Sequence, residues 1–351
     1  MNERALVIDN GAGWIKAGAA SEKVPSSVFP TIIGRRKGQR DLIGTEPQMQ
    51  PRGPVTLEYP IRDGSFVDFD GMEKIWHHAF YNELRTAPSD HAVLLTCPSH
   101  ACSQREKMVQ IMCETFDTKA VSVCDSAVLS LCSTGLSSGL VIDAGYEATV
   151  ISQVNDGFIV PSSTRRMPKG GGRYLTDSLL QALPNLEHSE VARAIKHTCC
   201  YVAQNSAATP DEVITKVFEL PDGKVLQLSR ERFSVNETVF HPSTEDESLQ
   251  TLIQQSILER PQHKRQALLQ NIVVCGGTSL LPGYAERLQH EMSLLFSLKA
   301  VSVIARPQRQ FAAWSGGVLL ASLSTFADFW ITRPEYEEFG GSIVLRKTFG
   351  V

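Results

Sequence analysis

Two acidic residues each end a short apolar run and are followed at once by a bend of small residues. Asp9 precedes Gly11 and Gly13, and Asp143 precedes Gly145. Such bends can present backbone N–H groups to phosphate oxygens, and a carboxylate beside them can hold the water shell of a divalent cation. Lys16 follows the first bend and has the charge and length to reach a phosphate. The pattern predicts a phosphate site with Asp9 and Asp143 binding a metal through water.

A third segment joins a buried strand directly to a helix. Residues 271–275 form a predicted buried strand, and Gly276, Gly277 and Thr278 then lead towards a helix that opens near Pro282. The N-terminus of a helix attracts anions because its first N–H groups have no partner within the helix. Each of the three segments alone is typical of an ordinary turn, but together they favour phosphate binding.

Other chemistries leave no comparable pattern. The sequence has no Walker lysine motif, no GxGxxG after a strand and no HExxH. His77 and His78 lie beside Trp76 on a predicted helix, which is more typical of exposed or structurally paired histidines than of ligands. The eight cysteines form no CxxC pairs with zinc-ligand spacing, so we expect reduced, structural thiols.

The two acid-tipped segments share one order of features. Residues 4–18 and 139–157 each contain a β-branched run, an Asp, a glycine bend and a second strand-like run. A repeated hairpin predicts two related α/β lobes that begin with the same unit. Helical periodicity further predicts helices over residues 103–116, 176–183 and 190–200.

Composition limits the class of protein. A chain of 351 residues with 42% hydrophobic residues is long enough for two lobes. Its formal charge of -4 shows no basic excess, so no nucleic-acid partner is expected. The first residues lack the pattern of a signal peptide, and no stretch has the length of a membrane-spanning helix. These features favour a cytosolic protein without a membrane partner.

Several segments, in the same order along the chain, closely resemble actin. One is the run Met-Glu-Lys-Ile-Trp-His-His-Ala-Phe-Tyr-Asn-Glu-Leu-Arg at residues 72–85. The others are residues 93–96, 105–108, 127–131, 219–223, 320–326 and 342–347. The resemblance covers essentially the whole chain, which makes it highly specific.

The resemblance implies an α/β, actin-like ATPase fold of four subdomains. Its two duplicated lobes would surround a central cleft that holds ATP or ADP with Mg²⁺ or Ca²⁺. Subdomain 1 would span residues 1–30, 60–133 and 312–351, and subdomain 2 residues 31–59. Subdomain 3 would span residues 134–170 and 249–311, and subdomain 4 residues 171–248.

The resemblance also assigns residues to the nucleotide. Those expected on its phosphate side are Asp9, Asn10, Gly11, Ala12, Gly13, Trp14, Lys16, Asp143, Ala144 and Gly145. Those expected on its adenosine side are Gly172, Arg173, Lys196, Gly276, Gly277 and Thr278.

Departures from actin concentrate where hydrolysis would occur. Ala12 replaces a serine that contacts the terminal phosphate, and Ser126 and Val150 replace the water-positioning glutamine and its assisting histidine. In the second loop, Tyr146 and Glu147 stand where groups approach phosphate, and a carboxylate there would repel the ligand unless its charge is relieved. The resemblance therefore implies nucleotide binding. Because of these replacements, we expect no catalytic residues and little hydrolysis.

Contacts for self-assembly are altered too. The stretch 33–44, which corresponds to the subunit-gripping loop of actin, is short and basic. The apolar plug of actin corresponds to the acidic stretch 243–248, and burying such charges in a subunit contact is costly. A homofilament is therefore less favoured than a monomer, a filament cap or a component of a larger assembly.

The resemblance implies a partner groove between subdomains 1 and 3. Its lining positions would be Cys132, Phe158, Leu320, Leu323, Phe326 and Phe329. In actin this groove receives amphipathic helices and neighbouring subunits, so actin-binding proteins or other actin-family subunits are the expected partners.

These inferences together favour a divergent actin-like cytoskeletal or assembly component in the cytoplasm and cytoskeleton, compatible with a nuclear fraction. The alternative is a conventional filament-forming actin with ATPase activity. A more remote alternative is a small-molecule phosphotransferase of the same superfamily, which would need a catalytic carboxylate motif that the sequence does not show.

Overall fold

A computed structural model describes residues 5–49, 55–184, 186, 188–204, 215–242, 247–296 and 301–350. The chain divides into two units. Unit 1 comprises Met1–Ser138, Val154–Ser162 and Phe311–Val351, and unit 2 comprises Gly139–Gln153 and Ser163–Gln310.

The described residues form nineteen strands. They are β1 (Leu6–Asn10), β2 (Trp14–Ala19), β3 (Ser27–Pro30), β4 (Ile33–Arg35), β5 (Leu42–Ile43), β6 (Thr56–Glu58), β7 (Ile61–Arg62), β8 (Ser65–Phe66), β9 (Ala92–Cys97), β10 (Ala120–Asp125), β11 (Gly139–Ala144), β12 (Thr149–Asn155), β13 (Phe158–Ile159), β14 (Arg165–Met167), β15 (Lys216–Glu219), β16 (Val225–Leu228), β17 (Ile272–Cys275), β18 (Val303–Ile304) and β19 (Ile331–Thr332).

The same part of the chain forms thirteen α-helices. They are α1 (Glu46–Met49), α2 (Phe69–His77), α3 (Arg105–Glu114), α4 (Ser126–Cys132), α5 (Gly172–Ala182), α6 (Ser189–Cys199), α7 (Glu231–Glu237), α8 (Leu249–Leu258), α9 (Gln262–Gln270), α10 (Tyr284–Phe296), α11 (Ala312–Ser322), α12 (Arg333–Phe339) and α13 (Val344–Lys347). No helix of the described residues has the length and apolar character needed to cross a membrane.

The main sheet of unit 1 has the strand order β19-β10-β9-β1-β2-β3. Strand β1 pairs antiparallel with β2 and parallel with β9, and β9 pairs parallel with β10. Every residue of β9 and β10 is buried, which explains their nearly continuous apolar runs.

Alternation along β1 divides the core of unit 1 between the two faces of its sheet. Leu6 and Ile8 belong to a cluster that contains Trp76, whereas Val7 belongs to a cluster that contains Trp314. Successive side chains of a strand point to opposite faces, so one short apolar segment is anchored from both sides. The loop that follows β1 therefore starts from a rigid base.

The main sheet of unit 2 repeats this topology. Strand β11 neighbours β12 on one side and pairs parallel with β17 on the other, and β17 pairs parallel with β18. Strand β14 pairs antiparallel with β12, as β3 does with β2 in unit 1. The predicted α/β fold with two duplicated lobes is confirmed, whereas the four subdomain boundaries stay predictions.

Helix boundaries differ from those predicted at one functionally important place. Helix α5 begins at Gly172, four residues before the predicted start at Thr176. Consecutive glycines read as a turn in the sequence, but here they open the helix, since the Gly172 N–H donates to the Gly145 carbonyl at 3.0 Å.

The basic stretch 33–44 contributes β4 and β5 to a small sheet of order β5-β4-β6. Arg35 donates to Asp41 at 2.7 Å and to Glu58 at 2.8 Å. Its charge is therefore paired locally. In the acidic stretch 243–248, residues 243–246 lie outside the described part of the chain, and Ser248 caps α8 by accepting the Thr251 N–H at 3.2 Å.

Candidate functional site

The β1–β2 hairpin brings the predicted acid and the predicted cation of the first loop together. Asp9 and Lys16 are register partners, and the Lys16 ammonium lies 2.8 Å from Asp9 Oδ2. Asp9 Oδ1 accepts a hydrogen bond from the Thr96 hydroxyl, also at 2.8 Å. The Asp9 side chain is only 9% exposed, so both oxygens of the carboxylate have a fixed direction.

Asn10 links this hairpin to the rest of unit 1. Its N–H donates to Thr96 Oγ1 at 2.8 Å, and its side-chain amide donates to the Thr96 carbonyl at 3.0 Å. The Trp76 indole N–H donates to Asn10 Oδ1 at 2.9 Å. Sequence reasoning missed Thr96 and Trp76; the signal available for Thr96 was its place near the end of a buried strand beside β1.

The backbone of the first-loop bend is fixed by close contacts and hydrogen bonds. A Cβ on Gly11 would lie 2.5 Å from the Trp14 carbonyl oxygen and 2.9 Å from Lys16 Nζ, so only glycine fits. Thr31 fixes the bend by donating its hydroxyl to the Gly11 carbonyl and its N–H to the Gly13 carbonyl. Within the described residues, the N–H groups of Ala12 and Gly13 donate to no protein acceptor. These two donors are the kind that bind phosphate oxygens.

The second loop, between β11 and β12, is fastened to the start of α5. Gly145 donates its N–H to the Ala148 carbonyl at 3.0 Å, and its own carbonyl accepts from the Gly172 N–H and from the Thr278 hydroxyl at 2.7 Å. The Arg173 N–H donates to the Tyr146 carbonyl at 2.8 Å. Hydrogen bonds thus join the second loop, α5 and the strand–glycine junction into one network.

Glu147 forms an ion pair within this network. Its Oε1 lies 3.2 Å from Arg173 Nη1, and its side chain is 11% exposed, whereas that of Arg173 is 46% exposed. The local repulsion expected from a carboxylate at this position is therefore partly relieved by a cation that is also a predicted nucleotide residue. Sequence reasoning named both residues without predicting that they pair.

The two glycines after β17 have different structural roles. Gly276 has a φ of +85°, and a Cβ there would lie 2.3 Å from the Ala144 carbonyl oxygen and 2.4 Å from Asp143 Oδ1. A Cβ on Gly277 would meet nothing within 4 Å. Gly276 is thus needed for close packing against β11, while Gly277 leaves open space that a ligand can enter.

Lys196 is buried in α6, with 3% of its surface exposed. Its ammonium donates to the Gly172 carbonyl and, at 2.8 Å, to the Thr176 hydroxyl. Burial, with the nearby charge of Arg193, lowers the pKa of Lys196 to about 8. This lysine therefore stabilises the first turn of α5 as well as carrying a charge near the second loop.

The structure brings the predicted residues together in two sets. The first, in unit 1, contains Asp9, Asn10, Gly11, Ala12, Gly13, Trp14 and Lys16. The second, in unit 2, contains Asp143, Ala144, Gly145, Gly172, Arg173, Lys196, Gly276, Gly277 and Thr278. Ser126 is the first residue of α4 in unit 1, and Val150 lies on β12 in unit 2.

A metal held directly by several side chains is not indicated. Among the described residues, no group of three or more His, Cys, Asp or Glu is arranged to hold a metal ion. Asp9 has its two oxygens directed by Lys16 and Thr96. Such a carboxylate can still accept hydrogen bonds from the water shell of a cation, so Asp9 fits outer-sphere binding through water.

The six groove positions all belong to unit 1, and they divide by exposure. Leu320 and Phe326 are core residues, whereas Phe158 and Leu323 are exposed. Cys132 and Phe329 pack partly buried against the same core cluster. Exposure thus separates side chains that support the core from side chains open to solvent, and the groove itself stays a prediction.

Phe349, which sequence reasoning missed, completes an aromatic cluster at these positions. Its ring lies 5.2 Å from that of Phe329, 6.1 Å from that of Phe326 and 6.3 Å from that of Phe158. The Ile159 N–H donates to the Gly350 carbonyl at 3.0 Å and holds this segment in place.

Comparison with protein families matches the actin family twice along the chain, over residues 1–187 and 181–349. The two matches together cover nearly the whole sequence, and they include both acid-tipped loops, the glycine junction after β17 and the aromatic cluster around Phe349. The chain therefore belongs to the actin family.

Proposed function

We propose that this protein is a divergent actin-like cytoskeletal or assembly component that binds ATP or ADP with Mg²⁺ or Ca²⁺ and hydrolyses ATP weakly or not at all. The observation that carries the proposal is the first loop. It combines a fixed acid, Asp9, a fixed cation, Lys16, and the backbone N–H groups of Ala12 and Gly13, which have no acceptor in the described part of the chain. Proteins of this family generally bind a nucleotide with a divalent metal.

Each group has a role in this proposal. The backbone N–H groups of Ala12 and Gly13 and the Lys16 ammonium bind phosphate oxygens. Asp9 and Asp143 orient the water shell of the cation, which neutralises phosphate charge. In unit 2, the strand–glycine junction at Gly277 and Thr278, with Gly172, Arg173 and Lys196, contacts the adenosine side. The open space at Gly277 supports that assignment.

Hydrolysis needs groups that orient and polarise an attacking water, and these are replaced. Ala12 has no hydroxyl, Ser126 is too short to reproduce a glutamine, and Val150 has no polar group. Losing a group that assists proton transfer or orients water costs roughly 10²–10⁴ in rate. The chain therefore serves as a nucleotide-dependent binding protein and not as an efficient ATPase.

Partners bind at the exposed part of the groove in unit 1, around Phe158 and Leu323. An exposed apolar side chain next to an aromatic cluster suits the apolar face of an amphipathic helix. Actin-binding proteins and other actin-family subunits are the proposed partners, in the cytoplasm and cytoskeleton. A homofilament is disfavoured because the stretch 33–44 is short and basic and the stretch 243–248 is acidic, so burying either in a subunit contact would be costly.

A phosphate-release assay at high protein concentration, run beside conventional actin, tests this function. We expect the wild-type chain to release phosphate far more slowly than actin. The combined variant Ala12→Ser, Ser126→Gln, Val150→His should release it at least about tenfold faster than wild type. Turnover of the wild-type chain equal to that of actin would contradict the proposal and favour the conventional filament-forming ATPase.

A further inference from the structure

The segment Thr348–Gly350, which follows α13, lies against the predicted partner groove. The Phe349 ring packs against three of the six groove positions, with its centre 5.2 Å from that of Phe329, 6.1 Å from that of Phe326 and 6.3 Å from that of Phe158. Phe158 is half exposed, so this contact lies at the surface of the core and not within it. The aromatic end of the groove is therefore occupied by a side chain of the protein itself.

The backbone of this segment is held by contacts of its own. The Ile159 N–H donates to the Gly350 carbonyl at 3.0 Å. Gly350 is buried at a φ of +88°, and a Cβ there would lie 2.9 Å from one methyl group of Val128 and 3.1 Å from the other. This position of the segment thus requires glycine at residue 350.

The Phe349 ring can leave the groove without disturbing the core. It is only partly buried, whereas the Phe326 ring beneath it is almost completely buried. Moving it into water therefore exposes less apolar surface than removing a core ring would. Part of the apolar surface also stays open, since Leu319 and Leu323 are both exposed and lie about one helical turn apart at the end of α11.

We propose that the segment Thr348–Gly350 is an autoinhibitory contact that covers the aromatic end of the groove until the amphipathic helix of a partner displaces it. This inference rests on the proposed binding of partners at the groove. An apolar side chain of the helix and the Phe349 ring need the same aromatic surface, so they compete for it. The segment competes well because its attachment to α13 gives it a high local concentration. Leu323 offers the helix a first contact outside the covered part.

The test measures the binding of a labelled amphipathic Leu/Lys helical peptide to the full chain by fluorescence anisotropy. Phe349→Ala removes the competing ring and should tighten binding about tenfold, the gain expected if the groove is open in about a tenth of wild-type molecules. Gly350→Ala keeps the ring but dislodges the segment, because its Cβ meets Val128 at a positive φ, and should tighten binding to a similar extent. Tighter binding by a variant that keeps Phe349 cannot come from a pocket left by a missing ring.

The matched control is Leu345→Ala. Leu345 is an exposed apolar residue of α13, four residues before Phe349. Its removal should leave the affinity for the peptide unchanged. Thermal unfolding of each variant establishes that the protein titrated is folded. Should one of the two release variants fail to fold, the other still decides the question.

The outcomes separate this inference from the proposed function. Wild-type binding that Phe349→Ala weakens, or that both release variants leave unchanged, would overturn the inference and leave partner binding intact, since Phe349 would then be a wall of the groove. Wild-type affinity of Gly350→Ala beside tighter binding by Phe349→Ala would also overturn it. Absence of peptide binding by wild type and by both release variants would contradict the proposed groove itself.

Discussion

Asp9 and Lys16 face each other across the β1–β2 hairpin, and their charged atoms lie 2.8 Å apart. The lysine is thereby held at the bend by the same acid that we assign to the hydrated metal. Because Thr96 fixes the other oxygen of Asp9, neither charge has to be reoriented when a ligand binds. This preorganised pair is the basis for the predictions on nucleotide binding.

Replacing Lys16 by Met should weaken Mg-ATP and Mg-ADP binding by roughly 10–100-fold, since a hydrogen bond to a charged group is worth about 1.5–3 kcal/mol. Stability should fall as well, because Asp9 loses the cation that compensates its buried charge. Calorimetric titration measures the first effect and urea denaturation the second.

Lys23→Met is the control for this change, since Lys23 is exposed and outside the hairpin strands. It should leave both quantities at their wild-type values. Nucleotide affinity that survives Lys16→Met would show that this ammonium does not contact phosphate.

Substitutions at Gly276 and Gly277 should distinguish effects on stability from effects on nucleotide binding. Gly276→Ala places a Cβ 2.3 Å from the Ala144 carbonyl oxygen at a φ of +85°, and should destabilise the protein by about 3 kcal/mol. Gly277→Ala meets no neighbour and should change the free energy of unfolding by less than about 0.5 kcal/mol, yet weaken nucleotide binding.

Thermal unfolding and nucleotide titration of the two variants check this prediction together. A Gly277→Ala variant with wild-type stability and wild-type nucleotide affinity would remove this junction from the binding site. A Gly276→Ala variant of normal stability would contradict the packing argument.

The sequence was sufficient to predict the hairpins and the strand–glycine junction, because β-branched runs and glycine bends are local signals. It could not give the pairing of Glu147 with Arg173, which depends on where α5 begins. Gly172 resembles a turn residue until the carbonyl of Gly145, distant in sequence, accepts its N–H. The packing of Phe349 against Phe158 was equally non-local, so no periodicity or motif indicated it.

The buried Lys196 should make the free energy of unfolding increase with pH under alkaline conditions. Its folded pKa of about 8 is lower than that of an unfolded lysine, about 10.4. Between these values the unfolded chain binds the extra proton, so this group makes stability rise with pH across that window. Below pH 8 the full cost of burying the charge applies, on the order of 3 kcal/mol.

Urea denaturation of wild type and Lys196→Met at several pH values across this window checks the prediction. The stability of wild type relative to that of Lys196→Met should increase as pH rises. Lys264→Met, which removes an exposed lysine of α9, should show no such difference. A pH-independent difference for Lys196→Met would show that the buried amine keeps an ordinary pKa.

In the groove, exposure predicts which side chains bind and which support the fold. Changing Leu323, which is 43% exposed, to Ala should lower the free energy of unfolding by less than about 1 kcal/mol. The same change should weaken the binding of a labelled amphipathic Leu/Lys helical peptide. Changing Phe326, which is 2% exposed, to Ala should lower the free energy of unfolding by about 3–5 kcal/mol, because the smaller side chain leaves a cavity in the core.

Fluorescence anisotropy of the peptide and thermal unfolding of each variant provide the measurements. Leu294→Ala in unit 2 removes a side chain that is 62% exposed and should affect neither quantity. Equal loss of peptide binding in the Leu294 and Leu323 variants would indicate non-specific apolar association and not a groove.

The most direct test of the central claim is the fate of trapped nucleotide. The full chain is loaded with Mg-ATP, freed of unbound nucleotide and denatured at intervals, and the released nucleotide is identified by chromatography. We predict one nucleotide per chain that remains ATP for hours. Absence of retained nucleotide would contradict binding, and conversion to ADP as fast as in actin measured alongside would contradict impaired hydrolysis.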